Sequence, residues 1–132
     1  MLKLHRQVAK AVCDHAAREL PYEACGYLAE KEGEVTRHYE LNNMDQAADH
    51  FRMEPGEQFA AVKDMRSRGL TIRAVYHSHP ESMAWPSAED IRLAYDAGIS
   101  YVIISLAGKE PEMKSFRIRQ GEVAPESIEI CG

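Results

Sequence analysis

Residues 101–106, Tyr-Val-Ile-Ile-Ser-Leu, form a run of strand length and almost wholly apolar character. A strand of that kind is buried on both faces, so the chain must supply a covering layer on either side of it. The rest of the sequence offers those layers. Residues 2–19 carry Leu4, Val8, Ala11, Val12, His15, Ala16 and Leu20 along one stripe of an amphipathic helix, which Pro21 ends. His5 and His15 lie on or beside this helix and read as surface or packing residues, since neither belongs to an evident cluster. Phe59, Val62 and Met65 give a second amphipathic helix over residues 56–68, closed by Gly69.

Strand signals fill the gaps. Residues 23–29 are small and apolar, residues 30–34 make a polar turn, and residues 35–41 alternate, which together read as a hairpin. Residues 42–50 are polar and irregular, and Phe51-Arg52-Met53 reads as a short strand before Pro55-Gly56. Residues 71–79 form the third clear strand. A helix opens near Ser87, carries Ile91, Ala94 and Tyr95, and stops at Gly98. Residues 114–119 alternate, Gly121 turns the chain, and residues 127–130 add an edge strand. Helices alternate with strands while some strands pair as hairpins, so the expected fold class is α/β, a mixed β-sheet flanked by helices. The chain has no internal repeat and no linker, and 132 residues suit one domain spanning 1–132.

Charge and cysteine content narrow the partners. The chain has 16 basic against 21 acidic side chains, a formal net charge of -5. Nucleic-acid binding leans on clustered Lys and Arg, so no nucleic-acid partner is expected. No run approaches the roughly 18 apolar residues of a membrane span, and no secretory signal opens the chain. Cys13, Cys25 and Cys131 are odd in number and far apart. They form no disulfide framework, and the expected location is a reducing cytoplasm. Cys25 reads as a small buried residue rather than a nucleophile.

The chemistry concentrates in His77–Asp90, His-Ser-His-Pro-Glu-Ser-Met-Ala-Trp-Pro-Ser-Ala-Glu-Asp. Residues i and i+2 of a strand share a face, so His77 and His79 lie side by side at the carboxyl end of the third strand. Open α/β sheets place their sites at such ends. Pro80 halts the strand, and the loop returns the chain so that Asp90 meets the two rings. Two imidazoles and a carboxylate with a fourth position left over match a catalytic zinc site, where the metal lowers the pKa of a water to about 7. Taken alone, Ser87 to Asp90 is also close to a capping box, and a His-Ser-His pair alone arises on surfaces by chance. Their co-occurrence within fourteen residues favours the metal. Hydrolysis by such a site also needs a proton shuttle. Glu23, just before a buried-looking strand, is the best-placed carboxylate, with Glu54, Glu81 and Glu89 competing. Met83, Ala84 and Trp85 flank the site, either as a wall over a substrate or as a loop anchor.

These residues resemble a known pattern. His77-Ser78-His79-Pro80, with seven residues between His79 and Ser87, then Ser87-x-x-Asp90 resembles the JAMM motif of the JAB1/MPN/Mov34 metalloproteases. Residues 21–28, Pro-Tyr-Glu-Ala-Cys-Gly-Tyr-Leu, and residues 51–55, Phe-Arg-Met-Glu-Pro, look like two further shared stretches. The resemblance implies a JAB1/MPN fold, similar to that of the cytidine deaminases. It implies His77, His79 and Asp90 as zinc ligands, Glu23 as general base and acid, and Ser87 as a donor to the oxyanion. It implies cleavage of a peptide or isopeptide bond after the C-terminal Gly-Gly tail of a ubiquitin-like protein. For a chain this short it points to sulfur-carrier proteins, from which some relatives release cysteine. A homodimer is a further expectation. The alternative is a catalytically silent MPN scaffold or partner-binding module, as in family members that keep the fold and lose the ligands; here every ligand position is filled. A zinc nucleobase deaminase would need His-x-Glu and Pro-Cys-x-x-Cys, and neither is present.

Overall fold

The computed structural model describes residues 1–132. Eight strands form one mixed sheet: β1 (Leu2–His5), β2 (Cys25–Lys31), β3 (Glu34–Leu41), β4 (Thr71–His79), β5 (Ser100–Ser105), β6 (Glu112–Arg119), β7 (Glu122–Glu126) and β8 (Ile128–Cys131). Their order across the sheet is β7-β6-β5-β4-β2-β3-β1-β8. The apolar run is β5, which lies parallel to β4 and antiparallel to β6. Three helices accompany the sheet: α1 (Arg6–Arg18), α2 (Pro55–Ser67) and α3 (Ala88–Arg92).

The strand alternation sorts side chains to two faces. Leu28, Ala74, Tyr76, Val102 and Ile104 meet Val8, Val12 and Ala16 of α1 on one face. Cys25, Tyr27 and Ala29 meet Ala61 and Met65 of α2 on the other. Ile103, Phe116 and Ile118 continue that second layer beneath Ala84, Ile91 and Ala94. Two glycines serve this framework. Gly33, with φ of +84° after Glu32 at +53°, makes the two-residue turn between β2 and β3. A Cβ on Gly26 would lie only 2.1 Å from the Tyr39 carbonyl oxygen and 2.5 Å from the Tyr76 ring. Its absence lets Tyr76 lie across β2, where the phenol meets His15 Nδ1 at 2.7 Å.

Four expectations change. Leu2 and Leu4 belong to a strand and not to the first helix, since their alternation with half-buried Lys3 and His5 suits the sheet face they fill. Leu20 is exposed rather than part of the α1 stripe. The helix after Ser87 stops at Arg92 and not at Gly98, and Tyr95 is 85% exposed, so it anchors nothing. Residues 51–53 make a single bridge, Asn43 to Met53, rather than a strand. One strand, β7, was not expected; its Pro125 is tolerated because β7 is an edge. No helix is long and apolar enough to cross a membrane.

Candidate metal centre and active site

The β4 strand ends in His77, Ser78 and His79, all buried. His77 Nε2, His79 Nε2 and Asp90 Oδ2 form a triangle with every side 3.1 Å. Donors bound to zinc at about 2.0–2.1 Å in a tetrahedron stand roughly 3.3 Å apart, so this set fits such an ion almost without movement. The rings are held in place. His79 Nδ1 lies 2.9 Å from the Met83 carbonyl, to which it donates, so Nε2 is the nitrogen left facing the triangle, its lone pair free whenever the ring is neutral. The Phe51 ring stacks on His77 at 4.9 Å and 29°. Neither support was anticipated. A carbonyl leaves no trace in side-chain pattern, and Phe51 signals its role only by lying in a shared stretch.

Asp90 performs two tasks with one oxygen. Its Oδ2 accepts from the Ser87 N–H at 2.9 Å, while Ser87 Oγ accepts from the Asp90 N–H at 3.0 Å, a complete capping box on α3. The same Oδ2 completes the triangle. Capping and metal binding are therefore compatible here. Ser87 spends a lone pair on the cap and keeps its O–H proton to donate. Burial opposes ionisation of Asp90, yet hydrogen bonds from His77 and His79 and from the Ser87 amide hold its carboxyl well below the ordinary range. Burial lowers His79, but its bonds to Asp90 and Met83 outweigh that and leave it raised.

Glu23 reaches the site through the β2–β4 pairing. Ala24 N–H donates to Ser78 Oγ at 2.7 Å, and Ser78 N–H donates to the Ala24 carbonyl at 3.0 Å. Cys25 pairs with His77, so Glu23, two residues earlier, stands across from His79. It is 3% exposed, and its Oε1 is buried with no hydrogen-bond partner. Burial pushes its carboxyl up to about 8, with the His79 charge pulling the other way. An unpartnered buried carboxyl oxygen beside a preformed donor triangle is what a bound cation and a polarised water would satisfy. The competing acids are accounted for. Glu54 caps α2 by accepting from the Gly56 and Glu57 amides, Glu81 is exposed, and Glu89 lines the neighbouring cleft. Cys25 is buried, and burial pushes its thiol up to about 12, which suits a packing residue and not a nucleophile.

A cleft of about 290 Å³ opens beside His77 and Asp90, walled by Tyr27, Phe51, Leu93, Ile99, Tyr101 and Ile103 among others. Its lining contains Glu89 and Asp96 but no lysine or arginine. On the loop before Ser87, Trp85 packs edge-on against Phe116 at 5.2 Å while 46% exposed. Ala84 is buried and Met83 is 73% exposed. The loop is thus anchored at Ala84 and at one edge of Trp85, and presents the rest of the indole and Met83 to solvent.

Residues 5–119 match the family described as prokaryotic homologs of the JAB domain. The chain belongs to that family. It is 32% identical to the CysO-cysteine peptidase of Mycobacterium tuberculosis over 98% of this chain and 91% of that protein. It is also 32% identical to the probable TtuB-protein conjugate cleaving protease of Thermus thermophilus, over 82% of this chain and 70% of that one. The solution structure of a Desulfitobacterium hafniense protein superposes with a TM-score of 0.90 at 45% identity, covering 99% of this chain and 93% of the other. A JAB1/MPN domain protein of Archaeoglobus fulgidus (TM-score 0.70, 21% identity, 99% and 100% coverage) shares the fold. So does a chain described as bearing a JAMM metalloprotease-like zinc site (TM-score 0.63, 19% identity, 100% and 99% coverage). The fold is that of the JAB1/MPN domains, and the protein is a peptidase.

Proposed function

We propose that this protein is a zinc-dependent hydrolase of the bond that follows the C-terminal Gly-Gly tail of a ubiquitin-like protein. The observation that carries the reading is the 3.1 Å triangle of His77, His79 and Asp90 donors with the unpartnered Glu23 carboxyl beside it. Relatives named for CysO-cysteine and for TtuB-protein conjugates support the substrate class.

His77, His79 and Asp90 would hold the zinc, which when bound supplies Lewis acidity toward a water and the scissile carbonyl. Glu23 accepts the proton of the attacking water and delivers it to the departing amine. Its burial keeps that proton within the site, and a nearby dication brings its raised pKa back toward neutrality. Ser87 donates its O–H to the carbonyl oxygen as charge grows there. A Gly-Gly tail has no side chains, so it can pass close to the carboxyl end of β4 and bind through its backbone. The residue beyond the scissile bond then faces the apolar cleft. With Glu89 and Asp96 there, His50 already paired with Asp45 and Asp49, and no lysine or arginine, the lining suits an alkyl stem, as in a lysine isopeptide, better than a free α-carboxylate.

The test is mass-spectrometric detection of products from a ubiquitin-like carrier extended beyond Gly-Gly, either as a lysine isopeptide or by a single C-terminal cysteine. The expected result is cleavage after Gly-Gly, dependent on zinc, lost in Glu23→Gln, and faster for the isopeptide. No cleavage of either substrate by the zinc-loaded protein would refute the proposal. Faster release of cysteine would refute only the reading of the cleft.

A further inference from the structure

We propose that His5, Glu34 and Cys131 form a second site for a divalent transition metal, one that clips the edge strand β8 to β1 and β3. The three residues come from three adjacent strands. His5 ends β1, Glu34 opens β3 and Cys131 ends β8. The pairing sets His5 directly beside Cys131 and Leu4 beside Val35, which brings Glu34 next to the imidazole. His5 Nε2 lies 2.8 Å from Glu34 Oε1, and Cys131 Sγ lies 4.0 Å from the same oxygen. All three donor atoms fall within 4.8 Å of one another.

Around a tetrahedral zinc with Zn–N and Zn–O near 2.0–2.1 Å and Zn–S near 2.3 Å, the nitrogen–oxygen edge is about 3.3 Å and the sulfur–oxygen edge about 3.5 Å. Each observed separation differs from its target by about half an ångström, in opposite directions. Small rotations of partly exposed side chains close both gaps. The donor types matter as much as the distances. A thiolate with an imidazole and one carboxylate suits zinc and its softer neighbours, and does not suit magnesium or calcium, which take oxygen cages. The plain alternative is a His5–Glu34 ion pair with an idle thiol beside it. That alternative leaves unexplained why a sulfur sits at the same point on an edge strand, since β8 hydrogen-bonds only to β1. Metal bound to the folded state alone would stabilise that edge by mass action. This site is more open than the His77–His79–Asp90 triangle, so the weaker affinity of the two is expected here.

Cobalt(II) tests this without reference to catalysis, because only this site contains sulfur. The full-length, reduced protein titrated with cobalt(II) should develop a thiolate-to-metal charge-transfer band in the near ultraviolet. The band should disappear in Cys131→Ser, persist in Cys13→Ser and Asp90→Asn, and require at least about tenfold more cobalt in Glu34→Gln and His5→Ala. In parallel, zinc-saturated wild-type protein should hold two zinc ions per chain and Cys131→Ser one. Absence of the band in the wild type would overturn the proposal. So would a band with the same midpoint in Glu34→Gln and His5→Ala, which would mean a thiol acting alone.

Discussion

Replacing Glu23 with glutamine should change how the metal-free protein responds to pH. The carboxyl is buried, unpartnered at Oε1 and raised to about 8. In the unfolded chain it titrates near 4.3–4.5, a difference of about 3.5 units, and each unit corresponds to about 1.4 kcal/mol. Between about pH 4.5 and 8 the folded state keeps a proton that the unfolded state has released. Stability must therefore fall as pH rises through that window and level off above it, by at most about 5 kcal/mol. That ceiling is comparable with the whole stability of a small domain. Asp90 works in the opposite sense, since its lowered carboxyl contributes stability that is lost only as pH falls below about 4. His79 is raised chiefly by its bonds to Asp90 and Met83, with a lesser part from Glu23, so most of its own fading contribution is common to wild type and variant. The assay is urea unfolding in a chelator at several pH values from about 5 to 8.5. Wild type should lose several kcal/mol across the series, and Glu23→Gln should lose much less, becoming the more stable protein at high pH. Zinc should stabilise the wild type more at pH 8 than at pH 5. Parallel curves for the two proteins would refute the claim that Glu23 is held in a site that resists its charge.

Asp90→Asn keeps an oxygen to accept from the Ser87 amide but removes the charge. Zinc affinity at the triangle should drop at least about 100-fold in a competition titration, while helical circular dichroism stays unchanged; unchanged affinity would return Asp90 to a capping role. Tyr76→Phe removes the buried 2.7 Å bond to His15, so unfolding free energy should fall by about 1–3 kcal/mol with kcat/KM for the carrier substrate unaffected. Gly26→Ala should cost about 3 kcal/mol or more, or prevent folding, since its Cβ has no space against Tyr39 and Tyr76.

Much of the architecture was legible because its signals are local. The apolar run at 101–106 and the strand at 71–79 emerge as β5 and β4, and Pro55 and Gly69 bracket α2 as their backbone chemistry dictates. Leu2 and Leu4 misled because their spacing to Val8 also satisfies a helical stripe; only the neighbours β3 and β8 decide for the strand. Ala94 and Tyr95 continued a plausible helical period, but the Tyr101 phenol donates to the Asp96 carbonyl and accepts from its amide, and α3 ends before it. The His77–His79–Asp90 constellation was visible from strand period and loop length. Glu23 was not singled out by spacing, because its place opposite His79 depends on a pairing between residues 54 apart, Ala24 with Ser78. His5 was read as isolated for the same reason. Its companions Glu34 and Cys131 arrive by strand pairing, and 97 residues separate those two.

The most direct test of the account is an anomalous-difference map from a crystal grown with one equivalent of zinc, with data collected on either side of the zinc edge. The account predicts its dominant peak about 2.0–2.2 Å from His77 Nε2, His79 Nε2 and an Asp90 carboxylate oxygen, within reach of the Glu23 carboxylate through one water. A dominant peak elsewhere, or none with the three donors still clustered, would contradict it.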